Sequence, residues 1–211
     1  MALCTTAAQA DLVIEQHVTG AGRESDMTLR IKDGQMRGDL TKDISVIAGG
    51  PDGASYTLMH EQKRYLRMTK EQLEEMRKQV PDATVEAGAA KLEPTGEKAK
   101  VGDFETEIYK WKVGKIEAKY WVAPGYPNHQ AINAELDKVQ QSSLGSLAQG
   151  LTPKMSEFPG LVVQTELKMG EDKVLSTIKS VKEEPVDPKV FELPKDYTEV
   201  NLPEQKARTA E

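Results

Sequence analysis

The sequence predicts a mainly β chain with helices, of the α+β class. Three observations carry that expectation: apolar residues that alternate with polar ones at period two, turn residues between the alternating runs, and two separate stretches with apolar residues at helical spacing. The first run, Asp11-Leu12-Val13-Ile14-Glu15-Gln16-His17-Val18, puts Leu12, Ile14 and Val18 on one face. Met27, Leu29 and Ile31 then alternate with Thr28, Arg30 and Lys32 up to Asp33-Gly34, a pair suited to a two-residue hairpin because both positions tolerate positive φ. The chain returns through Gln35-Met36-Arg37.

The same pattern recurs along the chain. After the turn residues Gly49-Gly50-Pro51-Asp52-Gly53, the runs 55–60 and 63–68 make a hairpin around Glu61-Gln62. Thr106 to Val113 and Ile116 to Val122 make another around Gly114-Lys115. A two-residue turn there puts Tyr109, Trp111 and Val113 on one face with Ile116, Ala118, Tyr120 and Val122, and sends Trp111 and Trp121 to opposite faces. One of the two tryptophans is then core, and the other needs cover from a helix, a partner or a ligand. The fourth hairpin joins Leu161–Met169 to Lys173–Val181 around Gly170-Glu171-Asp172. Four hairpins in series describe an antiparallel meander.

Two helical stretches interrupt it. Thr69-Lys70-Glu71-Gln72 has the capping-box form, and Leu73, Met76 and Val80 follow at helical spacing until Pro81. The second spans 128–149, with Ile132, Leu136, Val139, Ser143 and Leu147 on one stripe and Gly150 as its stop. Each apolar stripe has to be buried, and the apolar face of the sheet is the available partner. Residues 82–103 read as a long irregular connection, and Pro185 to Pro194 as an extended closing segment docked by Val190, Phe191 and Leu193.

The chain of 211 residues suits a single domain over 11–200 with a flexible tail over 201–211. Its net charge of −6 comes from 34 acidic and 28 basic residues dispersed along the chain, which argues against a nucleic-acid partner. No window has the roughly 20 apolar residues of a transmembrane helix. With Cys4 as the one cysteine, no disulfide can form within the chain.

Catalytic and metal motifs do not survive inspection. His60-Glu61-Gln62-Lys63-Arg64 begins like a zinc-protease helix, but Arg64 stands where the second histidine is needed and the segment reads as a hairpin. The glycines of 49–53 lack the Lys-Ser/Thr of a phosphate loop, and Glu105 and Glu107 read as a solvated strand face. No cofactor and no metal are expected, and the chain is not expected to be an enzyme.

Ala8-Gln9-Ala10 before Asp11 has the small-x-small form of a signal-peptidase site, although no basic residue or apolar stretch precedes it. Residues 1–10 are read as the remnant of a signal peptide, and the chain as exported, periplasmic or secreted. Leu3 is too large for a lipidation site at Cys4.

The order of "MTLRIKDGQMRGDL", "TLMHEQKRYLRMT", "TGEKAKVGDFETEIYKWK", "AKYWVAPGYPN", "FPGLVVQTELKMG" and "VKEEPVDPKVFELPKDY" resembles a bacterial envelope family known as domain of unknown function 4412. More remotely, helices inserted into a strand-rich chain and the closing Asp187-Pro188 to Tyr197 stretch are similar to the outer-membrane lipoprotein carrier proteins. That resemblance implies a curved, unclosed half-barrel lidded by the two helices, with an apolar concave face. The carriers' functional arginine has no matching residue here. The expected function is a non-enzymatic binding or carrier protein of the bacterial envelope for a lipid or other apolar ligand. Its expected lining is Leu29, Ile31, Leu58, Tyr109, Trp111, Tyr120, Ile132, Leu136 and Val139. The alternative is a structural or interaction protein that docks an envelope partner by its sheet edge or an exposed aromatic patch.

Overall fold

A computed structural model describes residues 11–20, 22–50, 52–79, 91–142 and 152–200, with backbone only for 77–79. The Ala8-Gln9-Ala10 stretch, Cys4, Val80-Pro81, Ser143, Leu147, Gly150 and the 201–211 tail lie outside these residues.

Twelve strands form one open sheet. They are β1 (Leu12–Gly20), β2 (Arg23–Lys32), β3 (Gln35–Asp39), β4 (Ile44–Ala48), β5 (Ser55–Met59), β6 (Arg64–Met68), β7 (Glu93–Val101), β8 (Phe104–Val113), β9 (Ile116–Ala123), β10 (Leu161–Met169), β11 (Asp172–Glu183) and β12 (Thr198–Val200). Their order is β12-β6-β5-β4-β3-β2-β1-β11-β10-β9-β8-β7. The meander runs outward in two wings from the β1–β11 pair. Every pairing is antiparallel except β12, which lies parallel to β6. The sheet is therefore mixed, and it is not closed.

The hairpins follow from their turns. Asp33 and Gly34 take φ of 51° and 79°, as a two-residue turn of this hand requires. Gly114-Lys115 sets the register Trp111 opposite Ala118 and Tyr109 opposite Tyr120. Two turns differ in length from the expectation: His60 to Lys63 make four residues between β5 and β6, and Gly170-Glu171 make two between β10 and β11.

Larger differences lie at 93–101 and in the closing segment. Residues 93–101 form β7, an edge strand exposed along most of its length, so it needs no apolar alternation to hold its place. Pro188–Phe191 form a single 3-10 turn, with the Asp187 carboxylate accepting from the Lys189 amide at its start. β4 and β12 are further strands beyond the four hairpins.

Helix α1 (Lys70–Gln79) opens on a capping box. Gln72 N–H donates to Thr69 Oγ1 at 3.3 Å, and Thr69 N–H donates to Gln72 Oε1 at 2.8 Å. Helix α2 (His129–Gln140) ends well before 149, with the Gln141 amide donating to the Asp137 and Lys138 carbonyls. Asn128 at its start has left-handed φ and sends its side-chain amide to Glu183 Oε1 instead of capping the helix.

Three buried clusters hold the chain together. The first joins Leu12, Ile14 and Ile31 to Ala123, Leu161, Val163 and the α2 residue Ile132. The second packs Ile47, Ala54, Tyr56 and Leu58 against Val186 and Phe191 of the closing segment. The third centres on Trp111, Val113, Ala118, Tyr120, Val122 and Phe158.

Candidate functional site

Register places one row of side chains straight across seven strands. Val181 lies opposite Ile14, Ile14 opposite Leu29, Leu29 opposite Gly38, Gly38 opposite Val46, Val46 opposite Thr57, and Thr57 opposite Leu66. Directly opposed residues share a face, so this is a continuous band from β11 to β6 with no charged member. At the usual strand spacing it runs for roughly 30 Å. Gly38 sits at its middle, where an added Cβ would come within 3.1 Å of Leu29 Cδ2 and 3.5 Å of Leu40 Cδ2.

The band is covered unevenly. One flanking row, Leu12-Ile31-Met36-Ala48, lies under α2, whose Ile132, Leu136 and Val139 complete the first cluster. Beneath the other flank, Leu29, Val46, Thr57, Leu66, Met27 and Met59 are only half-buried, and Ile44 is 39% exposed. Met27, Met36, Met59 and Met68 all belong to this face by strand parity. Flexible thioethers give it an adaptable apolar surface.

The opposite face of β4–β6 is covered. Val186, Val190, Phe191, Leu193 and Tyr197 pack on Ile47, Tyr56, Leu58, Tyr65 and Val13. A polar network fastens this strap. Ser45 Oγ donates to Asp39 Oδ1 at 2.7 Å and lies 2.6 Å from His60 Nε2, while His60 Nδ1 lies 2.8 Å from the Tyr197 hydroxyl. Arg37 donates to Asp39 Oδ1 at 2.9 Å and to the Val190 carbonyl at 3.0 Å, and Arg30 also pairs with Asp39. Burial raises the Asp39 pKa, but the Ser45 hydroxyl and the Arg37 guanidinium outweigh it and hold the carboxyl below its ordinary value.

Ser45 and His60 have the spacing of a nucleophile and its base. Ser45 is 1% exposed, however, and its hydroxyl proton is committed to Asp39, so the pair works as a structural tie. Among the described residues no cluster of three or more His, Cys, Asp or Glu could hold a metal ion.

The nine expected lining residues are divided among the three clusters. Leu29, Ile31, Ile132, Leu136 and Val139 come together in or against the first, under α2. Tyr109, Trp111 and Tyr120 belong to the third, where both tyrosine rings approach Phe158 (centroids 6.1 and 5.0 Å). Leu58 faces the strap. Burial pushes the Tyr120 hydroxyl far above its ordinary pKa. Trp121 is half-buried against the first cluster, on the face of β8–β9 opposite to Trp111. Val46 and Leu66 are not among the expected lining residues; Leu66 lies between Tyr65 and Arg67, but Val46 is followed by Ile47, so alternation marks only the first of the two.

A separate cleft of about 370 Å³ lies where β8 and β9 part, lined by Lys98, Asp103 to Glu107 and Ala123 to Gly125. Among the described residues, no helix is long and apolar enough to cross a membrane.

Comparison with solved structures finds loose likenesses. The structure of PNGF-II matches with TM-score 0.43 and 13% identity over 92% of this chain, which spans about a third (32%) of PNGF-II. The lipoprotein LppX of Mycobacterium tuberculosis matches at 0.46 and 9% over 83% of this chain and 88% of that one. A LolA superfamily protein of Nitrosomonas europaea matches at 0.32 and 8% over 87% and 90%. At these scores the likeness carries no function across. No curated protein gave a significant match. Residues 12–197 match the family model described as Domain of unknown function (DUF4412), and the chain belongs to that family.

Proposed function

We propose that the protein is an exported, non-enzymatic binding or carrier protein of the bacterial envelope that takes a lipid or other apolar ligand on the α2 side of its sheet. The observation that carries this reading is the β4–β6 end of the uncharged band, where Val46, Thr57 and Leu66 are only half-buried in front while the strap covers the opposite face. Long apolar bands left partly open on a folded surface mark places where something else binds. A flexible chain laid along the band would bury Leu29, Val46, Leu66 and the neighbouring methionines at about 25 cal/mol per Å² of apolar surface.

The outer edges of the sheet support a ligand over a strand-adding partner. β7 carries Pro94, an interruption of register between Pro94 and Lys98 with Gly96 at φ 78°, and Lys98 and Lys100, all of which obstruct pairing with another chain. β12 is three residues long.

The test is native mass spectrometry with solvent extraction on the protein purified gently from its host's envelope fraction, alongside Val46→Asp and Leu66→Asp variants. A stoichiometric apolar adduct in the parent that is lost from both folded variants is the expected result. A bare mass for the parent, or an adduct indifferent to both substitutions, would overturn the reading.

A further inference from the structure

The open end of the apolar band lies beside a charge. By strand parity the face of β2 to β6 that carries the band holds no carboxylate, and its charged members are Arg23 and Arg64. Arg23 stands at the tip of the β1–β2 hairpin, opposite Gly20 and six residues along β2 from Leu29. Arg64 is two residues from Leu66, in the row Ile44-Met59-Arg64-Thr198 that flanks the half-buried end of the band. The band itself continues one strand past β6, since Val200 of β12 lies opposite Leu66 and is half-buried.

Arg64 differs from the cations next to it. Lys63 donates to Asp196 at 2.8 Å, and Arg67, on the strap face, donates to Asp52 at 2.9 Å. Arg64 is exposed, and among the described residues it has no hydrogen bond or ion pair. Its guanidinium keeps its donors for water or a ligand, and a carboxylate can take two of them side by side. Directly opposite it on β5 is Met59, with the exposed Ile44 beyond, so apolar surface begins where the charge ends.

The open stretch has the length of one acyl chain. From Leu66 to Gly38 is three strand spacings, or roughly 14 Å. One leaflet of a bilayer, half of its hydrocarbon core, is about 15 Å deep. Beyond Gly38 the floor closes, and Ile14 is 1% exposed. The row on one side of this lane, through Ile31 and Met36, is taken by α2, which leaves width for a single chain.

We propose that the apolar ligand is a long-chain fatty acid, held with its carboxylate on the Arg64 guanidinium and its chain laid across β6, β5 and β4 toward Gly38. The proposal rests on the carrier reading and names the class of its ligand. A neutral lipid would leave Arg64 without a partner, and a two-chain phospholipid would need a second lane where α2 lies.

The experiment is calorimetric titration of the delipidated full chain with palmitate and with hexadecanol, each below its aggregation limit. Palmitate is expected to bind at one per chain, about fivefold more tightly than the alcohol of the same chain length. Arg64→Gln is expected to weaken palmitate about fivefold and leave hexadecanol unchanged, with Arg64→Lys restoring part of the preference. Arg23→Gln is expected to change neither, and Val46→Asp to weaken both. Equal affinity for the two ligands, or a preference that survives Arg64→Gln, would overturn the proposal while leaving the carrier reading in place. Binding of neither ligand to a protein that still brings an apolar adduct from the envelope would overturn it too, and with a bare envelope mass the carrier reading falls as well.

Discussion

The Tyr197 hydroxyl meets His60 Nδ1 at 2.8 Å, across 137 residues of chain. This contact fixes a tautomer. Ser45 donates its one proton to the Asp39 carboxylate, so it can only accept from His60, and the imidazole must carry its hydrogen on Nε2. Nδ1 is then a lone pair, and Tyr197 is the donor. Nitrogen-15 NMR of the neutral imidazole is expected to report the Nε2–H form, whereas an Nδ1–H signal would mean that the strap is fastened differently.

Removing the donor tests the strap itself. Tyr197→Phe keeps the ring, which packs edge-on to the imidazole at 5.9 Å, and deletes only the hydroxyl. The expected cost is about 1 kcal/mol in urea unfolding, the ordinary net worth of one such bond. The substitution should leave apolar ligand binding unchanged, since the strap covers the face opposite to the band.

Acid stability should depend on Asp52. Its carboxylate accepts from the Tyr56 hydroxyl at 2.6 Å and from Arg67, which lowers its pKa to about 2. A carboxyl depressed in the folded state adds stability above its unfolded value of about 3.9, and that stability is lost as pH falls toward the folded value. Thermal melts of the parent should therefore show a stability loss between about pH 4 and pH 2 that is smaller in Asp52→Asn. At neutral pH the variant should be the less stable of the two. Equal pH slopes would show that the partly exposed cluster contributes nothing measurable.

Much of this architecture was legible in the sequence because alternation and turn chemistry are local. Asp33-Gly34 and Gly114-Lys115 fix their hairpins, and the second sends Trp111 and Trp121 to opposite faces, as the register confirms. What covers each face is decided by distant chain, which parity cannot reveal. Leu58 alternates as well as Leu29 does, yet one lies under the strap and the other under the helix side. Extra residues also defeat counting: the β1–β11 register shifts between Glu15 and Gln16, and the β9–β10 register between Val162 and Gln164. β7 escaped for a different reason, since a strand exposed along most of its length has little apolar stripe to show.

The edge devices of β7 make a prediction about solubility. Replacing Pro94 and Lys100 with Val restores one backbone donor and removes one charge from an exposed strand. The doubly substituted protein should form higher-order species by size-exclusion chromatography with light scattering at concentrations where the parent does not. An unchanged profile would show that the register break around Gly96 guards the edge unaided.

Two glycines should respond in opposite ways to one added methyl group. A Cβ at Gly160 would lie 2.3 Å from the Ala123 carbonyl oxygen and 2.6 Å from Pro124 Cα, and backbone cannot yield as a flexible side chain does. The Gly160 carbonyl also accepts from the buried Asn133 side chain at 3.0 Å, so any shift there disturbs the seat of α2. Gly160→Ala is therefore expected to cost at least about 2 kcal/mol in chemical unfolding. At Gly125, on the wall of the cleft between β8 and β9, a Cβ would meet nothing within 4 Å, and Gly125→Ala should stay within about 0.5 kcal/mol of the parent. A Gly160→Ala protein of parental stability would mean that β10 can draw back from β9 at its start, and that the close approach at Ala123 does not hold α2 in place.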